Sequence, residues 1–183
     1  AKASEEAKDI QALIDAQNGG FKLEPWDWDF YSEQVRKAKY DLDESQIKPY
    51  FEIGSVLEKG VFFAAKQMYG LTFKERNDLS VYNPDVKVYE VFNDKGTSIA
   101  IYYLDFYARD NKNGGAWMSN LVNQSHYLNQ KPVIVNVYNF AKPVNGNPSL
   151  ISFDDVTTLF HEFGHTLHGL FANQKYVTLS GTA

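Results

Sequence analysis

The chain has 183 residues, enough for one hydrophobic core of ordinary size, and its 44% hydrophobic and 15% aromatic content argue for a packed protein rather than a disordered one. A net charge of −5 supplies no basic stripe for nucleic acid, and the absence of cysteine leaves His, Asp and Glu as the only side chains able to hold a metal. No apolar run approaches the roughly 18 residues of a membrane span and no basic–apolar leader opens the chain, so the expected location is the cytoplasm.

In chain order, ASEEAKDIQALIDAQNGG predicts an amphipathic helix with Ile10, Leu13 and Ile14 on one stripe and a stop at Gly19-Gly20. Asp27 or Asp29 is placed to cap a second helix through Ser32–Tyr40. A third helix is expected over 52–69, burying Ile53, Val56, Leu57 and Met68, with Gly70 as its C-terminal cap. From Leu71 the period changes to two: DVKVYEVF, the turn NDKG and TSIAIYYLDFY predict a β-hairpin over 86–107. KNGGAWMSNLV turns through Gly114-Gly115 into a third strand, and PVIVNVYNF is a fourth. After the turn-rich KPVNGNPS, a long helix starts near Phe153, where Ser152 and Asp155 have capping-box spacing. The expected order is helices over 1–70, a small and mostly antiparallel sheet over 71–140, and a last helix over about 153–172, an α+β arrangement.

That last helix carries HEFGH. Residues four apart on a helix share a face, so His161 and His165 can turn their imidazoles to one ion. Glu162 leaves the helix beside that ion, where a general base must sit to take a proton from attacking water. The pattern serves zinc-dependent peptide hydrolysis.

The third ligand is harder to place. Metzincins need Gly at 168 and His at 171, and this chain has His168 and Phe171. His168 lies about 10 Å along the axis from His161, too far for one ion, and is expected to pack or support. Beyond Glu162 there is no Asp or Glu. Asp154 and Asp155 are expected to cap the helix, while Asp105 and Asp110 on the hairpin stay open as ligands. The simplest expectation is a ligand beyond residue 183. At Gly114-Gly115-Ala116, two readings stand side by side: a strand edge near the cleft that pairs with an extended peptide, or a tight hairpin using glycine for its φ freedom. Trp117, Tyr102, Tyr103 and Tyr107 are expected in core or cleft wall, Arg109 and Asp105 as a structural pair, and His126 exposed.

The run LFHEFGHTLHGLFANQKYVTLSGT closely resembles the thimet-oligopeptidase family of zinc peptidases, and within it the bacterial peptidyl-dipeptidases. The resemblance extends through WDWDFYSEQVRKAKYDLDE, YLDFYARDNKNGGAWMSN, PVIVNVYNFAKP and FDDVTTLFHEFGH. It implies part of a mostly helical, zincin-type catalytic domain with a small sheet beside the HExxH helix. It also implies one zinc ion held by His161 and His165, Glu162 as base, and a downstream glutamate, past residue 183, as third ligand. Gly115 and Ala116 would line the substrate cleft. The implied partners are a short peptide and the remainder of the parent enzyme or a complementing chain, with neither nucleic acid nor membrane. The implied activity is release of C-terminal dipeptides. An endo-acting oligopeptidase and a catalytically silent module are the alternatives.

Overall fold

Helix α1 spans Lys2–Ala16 and buries Ile10 and Ile14, the stripe its sequence predicts, with Leu13 half-buried. Its stop is not made by Gly19-Gly20 alone. Asn18 takes the left-handed conformation at φ 57°, while the amides of Asn18 and Gly19 donate to the carbonyls of Asp15 and Ile14. That pairing closes a helix with a Schellman motif, and Asn tolerates the left-handed φ better than most residues. The chain then enters a 3-10 turn, Pro25–Asp27, capped by Glu24, and α2 comes directly after it over Trp28–Tyr40. Asp27 accepts from the Glu24 amide, so it closes that turn instead of capping a helix at Ser32. A short α3 spans Glu44–Ile47. These elements form one compact unit, residues 1–47, and residues 48–183 form a second. This computed structural model describes residues 2–40, 44–144 and 146–182; Asn145, in the turn-rich 142–149 segment, lies outside them.

The second unit is α+β. The helix expected over 52–69 is continuous but not uniform: α4 (Ile53–Val56) passes through a π segment, Leu57–Phe62, into α5 (Phe63–Tyr69). Glu52 caps it, its carboxylate accepting from Gly54 and Ser55 at 3.0 and 2.7 Å. Gly70 ends it at φ 68°. Ile53, Val56 and Leu57 are buried as expected, but Met68 is 70% exposed, because the π segment's wider turn rotates α5 off the stripe.

Among the described residues five strands form one sheet in the order β1-β2-β3-β5-β4: β1 Thr72–Glu75, β2 Lys87–Phe92, β3 Ser98–Tyr107, β4 Trp117–Val122 and β5 Val133–Phe140. Three of the four pairings are antiparallel, and β3 with β5 is parallel. The hairpin β2–β3 matches the expectation. The chain from β3 does not fold back as a tight hairpin, however. It crosses to the outer edge as β4, and β5 returns into the gap. Ile134 to Val137 and Tyr138 in β5 are each 5% exposed or less, as a strand covered on both faces requires. On one face Ala100, Tyr102, Leu104 and Phe106 join Ile134, Tyr138 and Phe140 in the core. The α4–α5 helix and α6 (Phe153–Phe171) cover that face with Val56, Leu57, Val61, Leu159, Phe163 and Leu170.

Candidate active site

Helix α6 begins with the predicted capping box: Asp155 N–H donates to Ser152 Oγ at 3.1 Å, and Ser152 N–H to Asp155 Oδ2 at 3.0 Å. Asp155 is thereby occupied as a cap. The buried residues Leu159, Glu162, Phe163, Thr166, Gly169 and Leu170 make one stripe. Gly169 sets how close that stripe comes to the sheet, since a Cβ there would stand 2.7 Å from Met118 Cε and 3.0 Å from Ile134 Cδ1.

His161 and His165 emerge on the opposite, exposed side, and the Nε2 atoms face one another at 3.1 Å, with ring planes at 78°. Two imidazole nitrogens bound to one tetrahedral zinc at about 2.0–2.1 Å would stand about 3.3–3.4 Å apart, close to the 3.1 Å seen here. The two donors present therefore fit such an ion. Glu162 is 7% exposed and lies at the border between the two faces. With His161, Thr157, Thr158 and Ala116 it lines a recess of about 340 Å3. Ala116, the residue before β4, thus lines the recess with His161 and Glu162, and β4 is an edge strand of the sheet, opposite β1.

Gly115 itself does not line that recess. Its φ of 88° makes the turn, and nothing lies within 4 Å of the position a Cβ would occupy. Asn139 of β5 pins this loop, donating to the carbonyls of Asn113 and Gly115 at 2.7 and 2.8 Å.

Of the two carboxylates left open as ligands, Asp105 is turned away from α6. Its neighbours in β3, Leu104 and Phe106, face the core, so it projects from the other side of the sheet. There it is 1% exposed and held by both Arg109 Nη atoms at 2.7 Å, by Lys112 Nζ at 3.1 Å and by Tyr82 Oη at 2.9 Å. Burial pushes its carboxyl upward, and the hydrogen bonds from Arg109, Lys112 and Tyr82 outweigh that and leave it below the ordinary value. Lys112 is pushed down by its burial, and Tyr82 up to about 12 by burial and by the Asp105 bond. Lys112 also donates to the carbonyls of Tyr107 and Tyr138, so the cluster ties the 108–116 loop to β3 and β5. The expected Arg109–Asp105 pair is present within this larger clasp.

His168 is exposed and lines a separate hollow with Phe171 and Leu179, so it does not pack under the histidine pair. His126 is exposed, as expected. Tyr102 is core, Tyr107 packs against it, and Trp117 is 45% exposed. Among the described residues no group of three His, Cys, Asp or Glu is arranged to hold an ion. No helix among them is long and apolar enough to cross a membrane. One residue the motif gives no hint of is Asn136, fully buried in β5, whose amide donates to the Glu162 carbonyl at 3.1 Å. Its signal was a polar residue at the centre of the apolar run PVIVNVYNF.

Comparison with known proteins agrees with the resemblance. The chain is 59% identical over 181 residues to a dipeptidyl carboxypeptidase of Escherichia coli (strain K12), covering 99% of this chain and 27% of that protein. It is 39% identical over 183 residues to oligopeptidase A of the same organism, covering 98% and 27%. A probable thimet oligopeptidase of Arabidopsis thaliana is 30% identical over 156 residues, covering 83% and 22%. The chain thus spans about a quarter of the length of these curated relatives. The model of Peptidase family M3 matches residues 1–183, and a match of that extent, with the HEFGH helix inside it, means that the chain belongs to this family.

Proposed function

We propose that residues 1–183 are part of the catalytic domain of a zinc-dependent, zincin-type peptidase that acts on short peptides and releases C-terminal dipeptides. The observation that carries this reading is the facing pair His161 and His165, with buried Glu162 beside it and Ala116 across the recess. His161 and His165 would hold the ion, together with a glutamate outside residues 1–183, supplied by the same polypeptide or by a complementing chain. When bound, zinc supplies Lewis acidity at the substrate carbonyl and acidifies water. Glu162 takes the proton from the attacking water and returns it to the leaving amine. Most of its side chain is buried against the sheet, and it opens on the recess that it lines with His161. Residues 1–183 by themselves are inactive under this proposal.

The outer edge of β4 is free among the described strands, so an extended peptide can add to it beside Gly115 and Ala116 and reach the recess. Dipeptide release is favoured over internal cleavage because 59% identity to a dipeptidyl carboxypeptidase exceeds 39% to an oligopeptidase A. A cytoplasmic site of action belongs to the same proposal and stands on the resemblance alone.

The test is Glu162→Gln in the full-length protein, with turnover monitored by mass spectrometry on peptides with free or amidated C-termini. The expected result is a loss of kcat of about 100-fold to 10,000-fold with zinc still bound, and in the wild type dipeptide products only from free C-termini. Near-normal turnover in the variant would remove Glu162 as the base. Equal cleavage of amidated peptides would point to the endo-acting alternative.

A further inference from the structure

At the middle of β5 the side chain of Asn136 is 0% exposed, as are those of Tyr102 on β3 and Thr166 on α6. The Asn136 Nδ2 donates to the backbone carbonyl of Glu162 at 3.1 Å. Its Oδ1 accepts from Tyr102 Oη and Thr166 Oγ1, each at 2.5 Å. The chemistry of the partners dictates this orientation. A carbonyl can only accept, so the amide nitrogen must face Glu162, and both hydroxyls must then donate to the amide oxygen. The Thr166 hydroxyl also stands 3.3 Å from the Glu162 carbonyl, and through the Asn136 amide β3, β5 and α6 meet at that peptide group.

A polar amide in a central strand is costly unless every partner is in place, and an aliphatic residue would pack there at less expense. What it adds is direction. Leu159, Phe163 and Leu170 hold α6 to the sheet by apolar contact, which tolerates small slides and rotations. The amide bond to Glu162 does not, because hydrogen bonds weaken steeply with angle.

We propose that Asn136, oriented by Tyr102 and Thr166, is a positioning residue for catalysis. It clamps the carbonyl of the residue that serves as base and thereby sets the rotation and height of α6, and of its carboxylate, against β4. This rests on the reading of Glu162 as the base.

The test uses the full-length protein and three variants. Thr166→Val keeps the shape but removes one of the two orienting hydroxyls, Thr166→Ser keeps the hydroxyl, and Asn136→Leu removes the clamp. Misplacement of a catalytic group by less than an ångström is enough for about a 10-fold fall in kcat. We expect that fall or more in Thr166→Val and Asn136→Leu, with KM within about twofold of wild type and zinc retained, and near wild-type turnover in Thr166→Ser. Val91→Ala, a cavity variant on β2, serves as a control that loses stability and keeps kcat. In the metal-free protein, the Thr166 amide should exchange about 10-fold faster in Asn136→Leu, a readout that does not depend on turnover. Unchanged kcat in both clamp variants overturns the proposal, as does loss of zinc or a Thr166→Ser variant no better than Thr166→Val. If Asn136→Leu does not fold, the Thr166 pair decides. Failure of the base reading would show separately, as turnover surviving in Glu162→Gln while the exchange rate still reports on the clamp.

Discussion

Replacing Asp105 with Asn keeps the side chain's shape and removes its charge from a site that is 1% exposed. Each carboxylate oxygen accepts two of the four bonds from Arg109, Lys112 and Tyr82, and in Asn the two that fall on the amide nitrogen lose their acceptor. Breaking a buried ion pair on one side costs about 3–5 kcal/mol, mostly for the cation left behind. Two features reduce that here. The Arg109 side chain is 24% exposed and can turn to water, and Lys112 keeps the carbonyls of Tyr107 and Tyr138. The expected loss is therefore about 2–4 kcal/mol near neutral pH, measured by urea unfolding of the full-length protein. The pH dependence has a definite sign. Because the folded carboxyl lies below its ordinary value, the unfolded chain takes up the proton first, near pH 4. The contribution of Asp105 is complete above that value and is lost as pH falls through the folded pKa, so the gap between wild type and variant should narrow only in acid. A loss under about 1 kcal/mol at pH 7, or a gap that stays constant down to pH 3, would refute the argument that the charge rather than the shape holds the loop.

Two further outcomes concern α6. Gly169→Val would drive atoms into Met118, Asn120 and Ile134, whose nearest atoms stand 2.7–3.0 Å from the missing Cβ; we expect about 1–3 kcal/mol of destabilisation, and a neutral result by urea titration would show that the helix can move outward freely. His165→Ala should abolish tight zinc binding in the full-length protein, measured by metal content after dialysis, without lowering its helical signal, because the imidazole is exposed and packs nothing in the core.

Much of this architecture was legible where the signal is local. The Ser152–Asp155 box, the Gly70 cap and the β2–β3 hairpin are each decided within a few residues, and all three stand as read. Strand β1, TFKE, escaped notice because four residues with one large apolar side chain give no period to detect. The order β3-β5-β4 was out of reach for a different reason. Nothing in KNGGAWMSNLV says that its strand will pair with a segment still to come, and not with the one just finished. The same blindness kept Asp105 open as a metal ligand, since the face to which it points depends on which side of the sheet receives α6. Met68 failed through the π segment, which no helical period anticipates.

The candidate site was more legible than the sheet because HEFGH ties chemistry to helix geometry. At about 100° per residue, Glu162 sits roughly 100° round the helix from His161 and 60° from His165. If the histidines face away from the sheet, the intervening glutamate is forced toward it, and the structure has Glu162 in the buried stripe while both histidines are exposed. The motif alone therefore dictates that Glu162 stands at the border between the histidine face and the packing face. What it does not dictate is how firmly that border is held. An amphipathic helix resting on aliphatic side chains keeps its stripe buried through small rotations, and each rotation carries the carboxylate and both imidazoles with it. A polar partner that resists such rotation must come from another element and bond the helix backbone close to the motif, as at the Glu162 carbonyl. Asn136 meets that requirement from 26 residues upstream, a distance in sequence at which no motif could have announced it.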